Sequence, residues 1–139
     1  MGRLLGIDFG LTRIGIAISD ERKIIATALG SVKAKDKPLN ALENLLAKYS
    51  SIEAIIVGLP LLLNGQEGDM ALRAREFAAL LESHFQVPII FWDERLSSAQ
   101  VERFLIECGV NRKKRAQISD GQAAALILQD YLNCHSKRI

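Results

Sequence analysis

The sequence predicts a mixed α/β fold, a hairpin-led sheet of about five strands with helices on its faces. Three observations carry this. The first strand-like runs are almost continuously apolar, as buried strands are. Three such segments come before any helical pattern, which argues a hairpin-led sheet. Beyond them, strand and helix periodicities alternate, which argues crossovers and parallel pairing.

Taken in order, Arg3–Asp8 is a near-continuous apolar run, and Phe9–Arg13 with Gly10 is a turn. Ile14–Ser19 alternates large and small residues and pairs with the first strand. Asp20–Lys23 is a polar turn, and Ile24–Lys33 is a third strand broken by Gly30. The period then changes. Leu39, Leu42, Leu45, Leu46 and Tyr49 recur at helical spacing, with Pro38 at the start, where a missing N–H is harmless. Ile52–Gly58 is a buried strand, and Leu59–Asp69 is a loop with Pro60, Asn64-Gly65 and Gly68. Met70, Ala74, Phe77, Ala78, Leu81 and Phe85 form one helical stripe. Pro88–Trp92 is the last strand, followed at once by Asp93-Glu94. Ser97 or Ser98 caps a helix carrying Val101, Phe104, Leu105 and Cys108, stopped by Gly109. Ser119 and Gln122 fit a capping box, so the final helix is expected to start there, with Ala124, Ile127 and Tyr131 inward.

Composition bounds the rest. A chain of 139 residues, 49% apolar and 24% charged, is expected to form one domain spanning 1–139. No apolar run is long enough to cross a membrane. Two cysteines, Cys108 and Cys134, are too few for a disulfide framework or a zinc site, so a cytoplasmic location is expected. The net charge of +2 hides an uneven distribution. Residues 1–70 hold 8 basic and 8 acidic side chains, and residues 71–139 hold 10 and 8. Four of those ten are consecutive, Arg112-Lys113-Lys114-Arg115. Such a run marks either a solvated loop or a phosphate-binding one.

Three carboxylate positions stand out. Asp8 ends the first strand, Asp93-Glu94 ends the last, and Asp120 opens the final helix on the face of Ala124, Ile127 and Tyr131. Ligands of open α/β sheets sit beyond the carboxyl ends of the strands. Neighbouring residues of a strand point to opposite sides, so only one of Asp93 and Glu94 is expected to join Asp8, and spacing does not choose between them. Singly, each has a structural explanation. Asp8 can form a turn ahead of Phe9-Gly10, Asp93 can bond nearby backbone, and Asp120 can complement a helix dipole. Jointly they raise one another's pKa unless a cation intervenes. Hard divalent ions prefer such oxygen ligands, and two about 4 Å apart suit phosphodiester cleavage. His84 and His135 lie far apart, Cys108 sits on an apolar stripe, and Trp92 ends a buried strand, so none is expected to act in catalysis. Only 6% of the residues are aromatic, which leaves little material for stacking single strands.

Several motifs then fall into a known pattern. Gly6-Ile7-Asp8-Phe9-Gly10, Arg13-Ile14-Gly15-Ile16-Ala17, Val57-Gly58-Leu59-Pro60, Asp93-Glu94-Arg95-Leu96-Ser97 and Asp120-Gly121-Gln122-Ala123-Ala124 occur in order over nearly the whole chain. They resemble the YqgF (RuvX) family of bacterial nucleases. The resemblance implies a ribonuclease H-like fold, shared with Holliday-junction resolvases, and maturation of the 5′ end of 16S ribosomal RNA. It assigns the catalytic, metal-binding site to Asp8, Glu94 and Asp120, with Mg²⁺ or Mn²⁺ and two ions expected. Ser98 and Ser119 depart from the commonest family residues, threonine and an aliphatic one. Neither departure touches a carboxylate.

The expected partner is therefore precursor 16S rRNA or a ribosomal particle, with Arg95, Arg112, Lys113, Lys114 and Arg115 contacting the backbone. One alternative is a resolvase of four-way DNA, which needs paired cuts and a symmetric dimer. The sequence itself leaves monomer and homodimer open. Another is a nucleic-acid-binding module without turnover. An actin-like ATPase, which shares the opening Asp-x-Gly, closes two domains over its nucleotide, and 139 residues supply one.

Overall fold

A computed structural model of the chain describes residues 2–49, 51–62, 64–93, 109 and 112–136, with side chains of the last helix described from Gly121 to His135. Five strands form one sheet: β1 (Arg3–Asp8), β2 (Arg13–Ser19), β3 (Ala26–Lys33), β4 (Ile52–Leu59) and β5 (Ile89–Asp93). Their order is β3-β2-β1-β4-β5. β1, β2 and β3 pair antiparallel, as a hairpin-led start predicts, and β4 and β5 join parallel to β1. Three helices are described: α1 (Pro38–Leu46), α2 (Asp69–Phe85) and α3 (Arg112–Ser136). The expected helix between Ser97 and Gly109 falls almost wholly outside the described residues.

Strand alternation sorts the core onto two faces. Leu5 and Ile7 of β1, Ile14, Ile16 and Ile18 of β2, and Ile55 and Val57 of β4 pack under α1 and α2, against Leu42, Leu46, Phe77 and Leu81. Leu4, Ala17, Ala54 and Ile56 pack under α3, against Ala124, Ile127, Leu128 and Leu132. The large–small alternation of β2 has its reason here. Its isoleucines fill the α1/α2 side, while small residues let α3 lie close on the other.

Two boundaries differ from expectation. Ile24 and Ile25 are not in β3, because both backbone N–H groups donate to Asp20 Oδ1, at 2.8 Å each, and close the turn instead. Gly30 does not end β3. The register steps from Ile16↔Gly30 to Ala17↔Ala28, so Leu29 is the extra residue of a bulge, and Gly30 carries the positive φ of 110°.

The start of the last helix is also corrected. α3 begins at Arg112, so the basic run is its first turn rather than a loop. Asp120 is an interior helical residue, and Ser119-Gln122 is not its capping box. Residues 112–118 contain no glycine or proline and are mostly strong helix formers, so nothing stops the helix short of Ser119. No described helix is long and apolar enough to cross a membrane.

Candidate active site at the carboxyl edge of the sheet

The three parallel strands end at one edge. Asp8 is in register with Gly58, Gly58 with Trp92, and Leu59 with Asp93. Two strand spacings, about 10 Å, therefore separate the backbone of Asp8 from that of Trp92. Asp8 shares the parity of Leu4 and Gly6, so its half-buried side chain belongs to the α3 face. Asp93 shares the parity of Ile89 and Phe91, which pack on the α1/α2 side, and it is exposed. The two described carboxylates at this edge thus stand on opposite faces. Both make contacts within the fold.

α3 is pinned over the sheet at two points that fix its direction. The Ala26 N–H donates to Gln129 Oε1 at 2.9 Å, and Gln129 Nε2 donates to the Ile24 carbonyl at 2.9 Å. Eight residues earlier, a Cβ on Gly121 would come within 3.3 Å of the Gly30 backbone. Eight helical residues advance about 12 Å. Four strand residues, from Ala26 to Gly30, advance about 13 Å. The helix therefore runs antiparallel to β3 and β1, its amino end toward the edge that Asp8 occupies. Gly30 is level with Ile16, and Ile16 with Ile7. This brings the helical backbone at Asp120 level with Ile7 and Asp8. Sequence spacing could not supply this placement, because it rests on two contacts between residues about a hundred positions apart.

β1 is built to let the helix come this near. A Cβ on Gly6 would lie 2.9 Å from Leu128 Cβ and 3.0 Å from the Ala124 carbonyl oxygen. Glycine at this position is a packing requirement.

Glu94 and Arg95 lie outside the described residues. The backbone of Arg112, Lys113, Lys114, Arg115 and Asp120 is helical, and their side chains lie outside the described set. Among the described residues, no group of three or more His, Cys, Asp or Glu side chains is placed to hold a metal.

Residues set aside as structural have structural partners. His84 Nε2 meets Glu43 Oε1 at 2.6 Å and ties α2 to α1. His135 stacks on Tyr131, ring centroids 4.0 Å apart, and Trp92 meets Tyr131 edge-on at 5.6 Å. The loop after β4 folds back as a small hairpin. Leu61 bridges Glu67, and Arg75 of α2 donates two hydrogen bonds to the Glu67 carboxylate, each 2.7 Å. Those bonds hold the Glu67 carboxyl below its ordinary pKa. Leu61 packs with Leu59, Ala71 and Ala74, whereas Leu62 is exposed. Sequence reasoning missed a basic cleft at the same sheet edge, between the start of β2 and the end of β3. Its residues come from two separated segments, so no local motif announces it.

The family model of RuvX, described as a Holliday junction resolvase, matches residues 2–134. The chain belongs to the RuvX family. This RuvX-family chain is 45% identical over 139 residues to a protein of Protochlamydia amoebophila named "Putative pre-16S rRNA nuclease", with 94% of this chain and 93% of that protein covered. A protein of Halothermothrix orenii with the same name is 42% identical, with 97% of each covered. Among solved structures, the chain is similar to Thermus thermophilus RuvC in complex with Holliday junction substrate, with a TM-score of 0.52. That likeness covers 99% of this chain and 97% of RuvC at 17% identity. It is a likeness of fold, and the fold is the ribonuclease H-like mixed sheet that the motifs implied.

Proposed function

We propose that this RuvX-family nuclease cleaves phosphodiester bonds at the carboxyl edge of its sheet, in the 5′-end maturation of precursor 16S rRNA. The observation that carries the site is the level placement of Asp8 and the Asp120 backbone on one face. The substrate reading is supported by the two near-full-length relatives named for pre-16S rRNA.

In this reading Asp8, Glu94 and Asp120 form the acidic centre. Asp93 stands on the face away from Asp8, which supports its neighbour Glu94 for the role. A donor set of carboxylate oxygens alone suits a hard divalent cation, Mg²⁺ or Mn²⁺, with two ions bound. When bound, such ions supply an activated water and neutralise the leaving oxygen. The chain's own contribution is positional. β1 fixes Asp8 at a buried strand end, and the Gln129 and Gly121 contacts fix the height of α3.

Arg95 and the Arg112–Arg115 run would hold the substrate backbone. The run stands in the first turn of α3, where the orphan N–H groups of a helix also favour an anion. A single domain spanning 1–139 would act in the cytoplasm, on precursor rRNA or a ribosomal particle, as a monomer or homodimer. The second reading, cleavage of four-way DNA, is favoured by the family's description.

The test is a cleavage assay on a precursor 16S RNA fragment and a synthetic four-way DNA junction. Each receives Mg²⁺, Mn²⁺ or EDTA, with wild type compared to Asp8→Asn, Glu94→Gln and Asp120→Asn. RNA is expected to be cut only with metal and only by wild type. Cutting that survives EDTA or all three substitutions would sink the acidic-centre mechanism. Cutting of the junction alone would reverse the substrate.

A further inference from the structure

Beside the acidic edge, a cleft of about 530 Å³ is lined by Leu11, Thr12, Arg13, Lys33, Lys35 and Asp36. Among the described lining residues, Arg13, Lys33 and Lys35 stand with one carboxylate, Asp36, and Arg13 also makes a contact within the fold. The cleft lies at the same end of the sheet as Asp8. β2 runs antiparallel to β1, so its first residue, Arg13, stands beyond Gly15, the partner of Asp8. Arg13 is in turn the register partner of Lys33, the last residue of β3. One strand spacing and two residue rises put the Arg13 backbone about 8 Å from that of Asp8, and two spacings put Lys33 about 12 Å away.

The backbone of the cleft is held fixed. The Ala34 N–H donates to the Thr12 carbonyl at 3.0 Å, which ties the β1–β2 turn to the end of β3. A Cβ on Gly10 would clash with the Arg13 carbonyl oxygen, so the turn closes more tightly than a residue with a side chain allows. Lys33 and Lys35 are exposed, and Leu11, 49% exposed, adds an apolar surface at the rim. Exposed cations on a backbone held by this hydrogen bond, next to the Asp8 edge, suit a polyanion that must pass close to that edge.

We propose that the Arg13–Lys33–Lys35 cleft binds the phosphodiester backbone of the substrate strand, next to the bond cut at the Asp8 edge. This rests on the nuclease reading above and adds a binding track on the β2–β3 side. It is separate from Arg95 and the first turn of α3. Such contacts position the strand and do not read its bases.

The test measures binding of a single-stranded RNA carrying the 5′ junction of precursor 16S rRNA, as a function of salt and in EDTA to prevent cleavage. Lys33→Gln/Lys35→Gln is compared with Arg22→Gln/Lys48→Gln, a pair of equal charge change at the opposite edge of the sheet. All four side chains are exposed, so both variants are expected to melt with wild type. Losing two phosphate contacts lowers the salt slope by about 1.4, and weakens binding about 25-fold at 0.1 M salt. The control pair is expected to leave the slope unchanged. With Mg²⁺ restored, KM rises for the cleft variant and kcat at saturating RNA is kept. A cleft variant whose slope equals that of the control overturns the proposal. The two readings fail separately. Wild type that binds through the cleft without cutting defeats the nuclease assignment alone, while cutting with an unchanged slope defeats the cleft alone.

Discussion

Gly6→Ala tests the argument that the site depends on how closely α3 approaches β1. The added Cβ would stand 2.9 Å from Leu128 Cβ and 3.0 Å from the Ala124 carbonyl oxygen. Ordinary carbon contacts are about 3.5–4.0 Å, so a gap of roughly 0.5–1 Å must open. Neither close atom is the free end of a side chain. No rotamer change relieves them, and the helix itself must retreat. Overpacking of this kind costs about 1–3 kcal/mol. For a chain of this size that lowers Tm by roughly 3–15 °C. The same retreat carries Asp120 away from Asp8, and a misplacement near 1 Å can cost about 100-fold in rate. The assay pairs thermal unfolding with cleavage of the RNA fragment, the latter well below the variant's Tm. A variant that melts lower and also cuts about 10- to 100-fold more slowly is expected. A Gly6→Ala protein that melts and cuts like wild type would refute the packing argument. One that melts lower but cuts normally would refute its link to the site.

Leu42→Ala supplies the contrast. Leu42 is fully buried on the inner side of α1, on the sheet face away from Asp8. Its truncation is expected to cost about 2–5 kcal/mol, read by denaturant unfolding, with cleavage per folded molecule unchanged. Gln129→Ala removes the acceptor of the Ala26 N–H and the donor to the Ile24 carbonyl. It should destabilise by about 1–3 kcal/mol and speed amide exchange at Ala26. Asp20 is held below its ordinary pKa, first by the Ile25 N–H and then by that of Ile24. Its stabilising contribution is full above its unfolded pKa and lost as pH falls through the lower folded value. Asp20→Asn should therefore be less stable than wild type at neutral pH and show a shallower acid limb, measured as Tm against pH.

The sequence alone determined the sheet and most of its strands. Near-continuous apolar runs such as Leu4–Ile7 and Ile55–Val57 read as buried strands wherever they sit, and the hairpin-led order leaves few topologies open. It also determined the family, because short motifs at Asp8, Asp93-Glu94 and Asp120 keep their identity without the fold. What it misplaced were local boundaries decided at long range or by turn chemistry. Ile24 and Ile25 look like strand until Asp20 takes their N–H groups. Ser119 looks like a cap until the helix before it is seen to continue.

Only the tertiary structure decided which faces Asp8 and Asp93 take, how high α3 sits over the sheet, and that Arg13 and Lys33 share one cleft. These depend on register and on contacts such as Gln129 with Ala26. A pattern of single residues carries no distance between segments that far apart. The pairing of strands and the docking of a helix supply that distance.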